Sequence, residues 1–137
     1  MNSIVTGAVG SQQEEANRGL VLGFYENVII NREFDRWPEY LRPDYIQHKP
    51  NIADGPLGVI DFMRGNYEAD PEHGVEVVRS FVDGDYVILH VHIHLKRPEK
   101  RELSVMDIFR CEDGLLAEHW DVEQPIPTTM GHPNGVI

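Results

Sequence analysis

Apolar residues recur along this chain first at helical spacing and then at strand spacing. From Gln12 to about Asn31, Leu20, Val21, Phe24, Tyr25 and Val28 make one stripe of a helix. Ser11 with Glu14 three residues on forms the capping box that starts it. A second short helix is predicted over Glu33–Leu41, with Phe34, Trp37 and Leu41 on one side and Pro38 in the first turn. Tyr45-Ile46-Gln47-His48 reads as a short extended segment, Tyr45 and Gln47 facing one way, Ile46 and His48 the other. Pro56–Tyr67 reads as a third helix, its core stripe being Val59, Ile60, Phe62 and Met63.

The pattern then changes. Val75–Val82, Asp85–Leu95, Arg101–Cys111 and Leu115–Val122 alternate as strands, joined by turns at Asp83-Gly84, around Pro98 and at Asp113-Gly114. Helices followed by an antiparallel meander predict an α+β domain with helices packed on one face of the sheet. Residues 1–11 read as a flexible N-terminal arm, 12–127 as one domain and 128–137 as a Gly/Pro-rich C-terminal tail. In the strand 86–95 the odd positions are apolar, and the even ones turn to histidine at His90, His92 and His94. One face is plain core; the other is polar and suits packing against a second subunit.

The last hairpin carries the candidate chemistry. A three-residue loop, Glu112-Asp113-Gly114, opposes Cys111 to Leu115, Asp107 to His119 and Val105 to Asp121. Val105, Asp107, Phe109, Ala117, His119 and Asp121 then share one face, and Met106, Ile108, Arg110, Leu116, Glu118 and Trp120 the other. A one-residue shift would separate Asp107 from Asp121.

Composition narrows the classes. Twenty-three acids against twelve Lys and Arg give a net charge of −11, with no basic cluster to offset it, so nucleic acid is an unsuitable partner. A lone cysteine, Cys111, excludes an internal disulfide framework. No apolar run approaches the roughly 20 residues of a membrane span, and the N-terminus lacks the pattern of a secretory signal. A cytoplasmic protein without membrane partners is the expectation.

Tyr45-Ile46-Gln47-His48, followed by Asp107-Ile108-Phe109-Arg110, Glu112-Asp113-Gly114 and Glu118-His119-Trp120-Asp121, resembles the SnoaL-like polyketide cyclase branch of the nuclear transport factor 2-like superfamily. The order of elements over roughly 12–127 matches as well. The resemblance implies a cone, a curved antiparallel sheet wrapped round three N-terminal helices, with a deep apolar pocket and a homodimer through the outer sheet face. It implies an aldol-type cyclisation run without metal or cofactor. Asp121 matches the aspartate of the His-Trp-Asp motif and takes the general acid/base role. Asp107 stands where the polyketide cyclases place a histidine. His48 matches a histidine that looks into the pocket.

Aldol closure or isomerisation needs one group to remove a proton beside a carbonyl and another to protonate or stabilise the oxyanion. Asp121 and Asp107 on one face, assisted by His48, are the catalytic candidates. His92, His119, Tyr45 and Gln47 are candidates for holding substrate. Phe24, Tyr25, Trp37, Phe62, Val105 and Phe109 are candidates for the wall, which suits a hydrophobic, ring-shaped small molecule. The expected activity is that of a cofactor-independent cyclase or isomerase of the lyase or isomerase class. The alternatives are a non-catalytic small-molecule-binding protein and an epoxide hydrolase-like hydrolase on the same fold. His-x-His-x-His also permits a metal, which the resemblance disfavours. Trp120 is expected to pack on the outer face, and Arg110 to pair with a surface acid.

Overall fold

The computed structural model describes residues 3–137. Six strands form one mixed sheet in the order β1-β3-β4-β5-β6-β2, where β1 is Val5–Thr6, β2 Leu41–Gln47, β3 Gly74–Asp83, β4 Tyr86–Leu95, β5 Arg101–Glu112 and β6 Leu115–Pro125. β3 to β6 are the antiparallel meander, while β1 pairs parallel with β3 and β2 parallel with β6. Helices α1 (Gln12–Gly23) and α2 (Pro56–Ala69) pack on its inner face.

The Ser11 cap forms as expected: its hydroxyl accepts from the Glu14 amide, and the Glu14 carboxylate accepts from the Ser11 amide. The helix does not continue regularly to Asn31. From Phe24 to Ile30 it widens into a π-helix, and Phe24, Tyr25, Val28 and Ile29 are all buried there. Such wide turns inside a helix are rare and recur at functional sites. Residues Phe34–Glu39 form a 3₁₀ helix rather than an α-helix, consistent with Pro38, which cannot donate in a regular ladder. The N-terminal segment is less free than expected: Val5 and Thr6 pair with Arg79 and Ser80, and the buried Arg18 guanidinium donates to Ala8 O and Ser80 O.

The odd residues of β4 point to the helices, and Val87, Leu89 and Val91 are fully buried or nearly so. Opposite them lie Phe109, Asp107 and Val105 of β5.

The hairpin register differs from the three-residue loop in an instructive way. Asp113 (φ 53°) and Gly114 (φ 78°) both occupy the left-handed region, the signature of a two-residue type I′ turn. Glu112 therefore opposes Leu115 and Cys111 opposes Leu116, not Leu115. That one-residue shift would separate the acids, but a bulge follows at once: Arg110 opposes Glu118, leaving Ala117 as the extra residue. Beyond the bulge Phe109 opposes His119 and Asp107 opposes Asp121 directly. The acidic face survives with new partners, while Leu116, expected on the outer face, is fully buried beside Cys111.

Candidate functional site

The inner surface of β5 and β6, with α2 and the π-helix across it, encloses a cavity of about 390 Å³. Phe24, Tyr25, Tyr45, Phe62, Val105 and Phe109 line it, together with Asp107, His119 and Asp121. A space of that size suits a small ring system.

The three polar residues converge because their strands are paired in register. One ligand-capable atom from each of Asp107, His119 and Asp121 lies within 4.8 Å of the other two. Asp107 is held at both oxygens: Tyr25 Oη donates to Oδ2 at 2.7 Å, and His119 Nε2 stands 2.7 Å from Oδ1. The far side of the imidazole is fixed as well. The Lys49 amide donates to Gln47 Oε1 at 2.9 Å, which orients that oxygen to accept from His119 Nδ1 at 2.7 Å. His119 thus donates at Nδ1 and is hydrogen-bonded to Asp107 at Nε2. Both ring nitrogens are committed to position.

Asp121 is differently placed. Its Oδ2 accepts from Lys49 Nζ at 2.9 Å, and both side chains are largely buried, at 10% exposure for Lys49 and 7% for Asp121. Among the described residues, its Oδ1 has no hydrogen-bond partner. Burial works against the Lys49 charge, but the Asp121 hydrogen bond and the charges of Asp121, Glu123 and Asp107 outweigh it and raise its pKa. The ammonium supplies a positive charge to a site that would otherwise hold two carboxylates together. Asp107, His119 and Asp121 have donor types that fit a metal, yet Lys49 already neutralises Asp121 there.

The two phenols are kept protonated. Burial, and then the Asp107 charge, raises both Tyr25 and Tyr45 well above the ordinary value. Tyr25 spends its proton on Asp107. Tyr45 accepts from Gln47 Nε2 at 3.3 Å, so its own O–H remains to donate. Burial pushes the Cys111 thiol up to about 11, which removes it as a nucleophile near neutral pH.

Four expected positions are corrected. His48 turns away from the cavity, stacking on Trp120 with ring centroids 4.8 Å apart and bonding Glu118 Oε2 at 2.7 Å. Strand alternation dictates this, since Tyr45 and Gln47 face inward. His92 lies on the outer sheet face with His90 and His94, because the odd neighbours Val91, Ile93 and Leu95 take the cavity side. Trp37 packs against the core from the 3₁₀ helix and does not reach the cavity. Gln47 acts one layer back, through His119. Trp120 and Arg110 lie on the outer face as expected, Arg110 pairing with Glu118 at 2.9 Å.

The sequence reading missed Lys49, which lies 72 positions from Asp121. Its one signal was its place directly after Tyr45-Ile46-Gln47-His48. The reading also missed His73, which lines the same cavity and whose Nε2 is buried without a partner among the described residues.

Solved structures of the same fold include a protein assigned as a polyketide cyclase from Bacillus cereus, at TM-score 0.75 and 18% identity, covering 88% of this chain and 83% of that one. A protein assigned as a SnoaL-like polyketide cyclase from Jannaschia has TM-score 0.71 and 21% identity, with 85% and 91% covered. A third, assigned as a ketosteroid isomerase from Kribbella flavida, has TM-score 0.69 and 19% identity, with 90% and 86% covered. At these identities the likeness is one of fold. No curated protein sequence matches the chain. The SnoaL-like domain matches residues 21–119, from the end of α1 through the His119 that holds Asp107, and the chain belongs to that family.

Proposed function

We propose that this protein is a small acid/base catalyst that cyclises or isomerises a hydrophobic carbonyl compound. The observation that carries the reading is the meeting of Asp107, Asp121 and His119, with atoms within 4.8 Å of one another, in a cavity of about 390 Å³ walled by aromatic and aliphatic side chains. The cyclase and isomerase assignments of structures with this fold support the same chemistry.

In this reading Asp121 Oδ1 removes the proton beside the substrate carbonyl, and the C–H electron pair moves into an enolate. Tyr45 O–H and the Lys49 ammonium stabilise the enolate oxygen, as donors fixed before the charge develops. In isomerisation Asp121 returns the proton to a different carbon. In aldol closure the enolate carbon attacks a second carbonyl, and the resulting alkoxide takes a proton from Tyr45 or Lys49. Asp107 is a positioning residue: with both oxygens hydrogen-bonded it fixes His119 and Tyr25 around the reacting centre. His48 and His92 have no part in this chemistry.

Proton exchange at carbon tests the base without knowledge of the natural substrate. The protein is incubated in D₂O with benzo-fused cyclic ketones such as β-tetralone, and loss of the α-proton signal is followed by NMR. Wild type accelerates exchange over buffer, and Asp121→Asn lowers that rate by about 10²–10⁴-fold while remaining folded. Equal rates in the two proteins would remove Asp121 from the mechanism.

A second reading, non-catalytic binding of a small molecule, draws on the saturation of Asp107 by Tyr25 and His119. Wild-type exchange no faster than buffer across the ketone panel, with the ketones still bound, would favour it. We also propose a homodimer through the outer sheet face, where Phe81, Met106 and Val122 are exposed.

A further inference from the structure

We propose that the outer face of the sheet carries a second, independent site, for a zinc-class divalent cation, built by His92, His94 and Glu76 with Glu102 beside them. The His-x-His-x-His run of β4 takes no part in the cavity chemistry, because its even positions point away from the helices. Strand register gathers the other donors. Glu76 of β3 lies opposite His92, and Glu102 of β5 lies opposite His94, so three neighbouring strands deliver two imidazoles and two carboxylates to one patch.

The donor atoms converge. One ligand atom each from Glu76, His92 and His94 lies within 4.8 Å of the others, and all three residues are half-buried. His92 Nε2 and His94 Nδ1 both stand beside the same oxygen, Glu102 Oε1, at 3.0 and 3.1 Å. Both ring nitrogens therefore lie within 3.1 Å of one point, and His94 Nε2 lies 3.9 Å from Glu76 Oε2. Their rings lie side by side with centroids 3.9 Å apart. The backbone of a central strand fixes that i, i+2 spacing.

The third histidine shows what a committed residue looks like in the same setting. Arg79 Nη1 donates to His90 Nδ1 at 2.9 Å, and His90 Nε2 donates to Ser104 Oγ at 2.8 Å. Both nitrogens are used, so His90 is outside the site. Two imidazoles and carboxylate oxygens form a donor set that suits Zn²⁺, whereas Ca²⁺ and Mg²⁺ prefer all-oxygen shells. The strongly negative chain favours a divalent cation near its surface.

The test uses tag-free protein stripped with a chelator and titrated with ZnCl₂ by isothermal calorimetry. Wild type is expected to take one Zn²⁺ per chain and to melt at higher temperature once loaded. The double variant His92→Ala/His94→Ala should bind about 100-fold more weakly, and Glu76→Gln, which leaves both imidazoles in place, about 10-fold more weakly. His90→Ala should stay within about threefold of wild type. Asp121→Asn should keep the full zinc equivalent, since the cavity is a separate place. Circular dichroism confirms that each variant is folded. Zinc binding that survives in the double variant, or that is lost in Asp121→Asn instead, would overturn the assignment.

Discussion

Tyr25 and Tyr45 are two buried phenols beside one carboxylate cluster, and their hydrogen bonds give them opposite consequences. The Tyr25 proton is committed to Asp107 Oδ2, so Tyr25→Phe leaves a buried acceptor without its donor. That loss should lower the unfolding free energy by about 1–3 kcal/mol in urea titration. Tyr45 receives its bond from Gln47 and keeps its own proton free. Tyr45→Phe should therefore change stability by less than Tyr25→Phe, while lowering ketone exchange by about 10²–10³-fold, the effect of removing one oxyanion donor. A Tyr45→Phe protein that exchanges at the wild-type rate would leave Lys49 as the only stabilising group. The same bond-by-bond reading explains His48 and His119. Both are histidines next to a glutamate or aspartate, yet one stacks on Trp120 in the open and the other is enclosed by Gln47 and Asp107.

At the scale of elements, the Asp113-Gly114 turn and the bulge at Ala117 act as a pair, since each alone would place Asp121 on the wrong face. Gly114 sits at φ 78°, where a β-carbon is strained although nothing in its surroundings would clash with it. Gly114→Ala should therefore destabilise the protein by about 1 kcal/mol through backbone strain alone, read as a lower urea midpoint with an unchanged slope. Asp113→Asn, which keeps the conformation accessible, should be close to neutral. The position of the turn was legible in the residues, though its two-residue form was not, and so were the Ser11 cap and the alternation that makes Val87, Leu89 and Val91 core. The bulge was not, because an extra residue in a strand leaves no mark in a two-residue period until its partner strand is known. The π-helix escaped for the same reason: Phe24, Tyr25 and Val28 fit an ordinary helical stripe, and only Asp107, far along the chain, shows why Tyr25 must turn inward. For His48 the local alternation set it on the face opposite Tyr45 and Gln47, and the motif resemblance pointed it into the pocket. The alternation was the better guide, since backbone pleat constrains a side chain more directly than likeness of sequence.

For the whole molecule, a cone with one apolar concave face leaves its convex face to find other partners. Met106 and Val122 lie opposite each other there on β5 and β6, and both are exposed, Val122 at 71%. A homodimer through this face would bury them, but it would also bring together two chains of net charge −11 each. Apolar burial and charge repulsion therefore oppose each other, and salt decides the balance. Raising ionic strength from about 0.01 M to about 1 M shortens the Debye length from roughly 30 Å to 3 Å, which removes repulsion between exposed charges and leaves apolar contact in place. Sedimentation equilibrium should accordingly show tighter association at high salt. Val122→Lys combined with Met106→Lys separates the two effects. These lysines reduce the net negative charge, so the repulsion falls, and yet they cannot be buried without cost. If apolar contact on this face holds the dimer, the double variant is monomeric at every salt concentration and keeps its ketone exchange, because the cavity opens on the other side of the sheet. A variant that still associates as wild type does would place the dimer contact elsewhere.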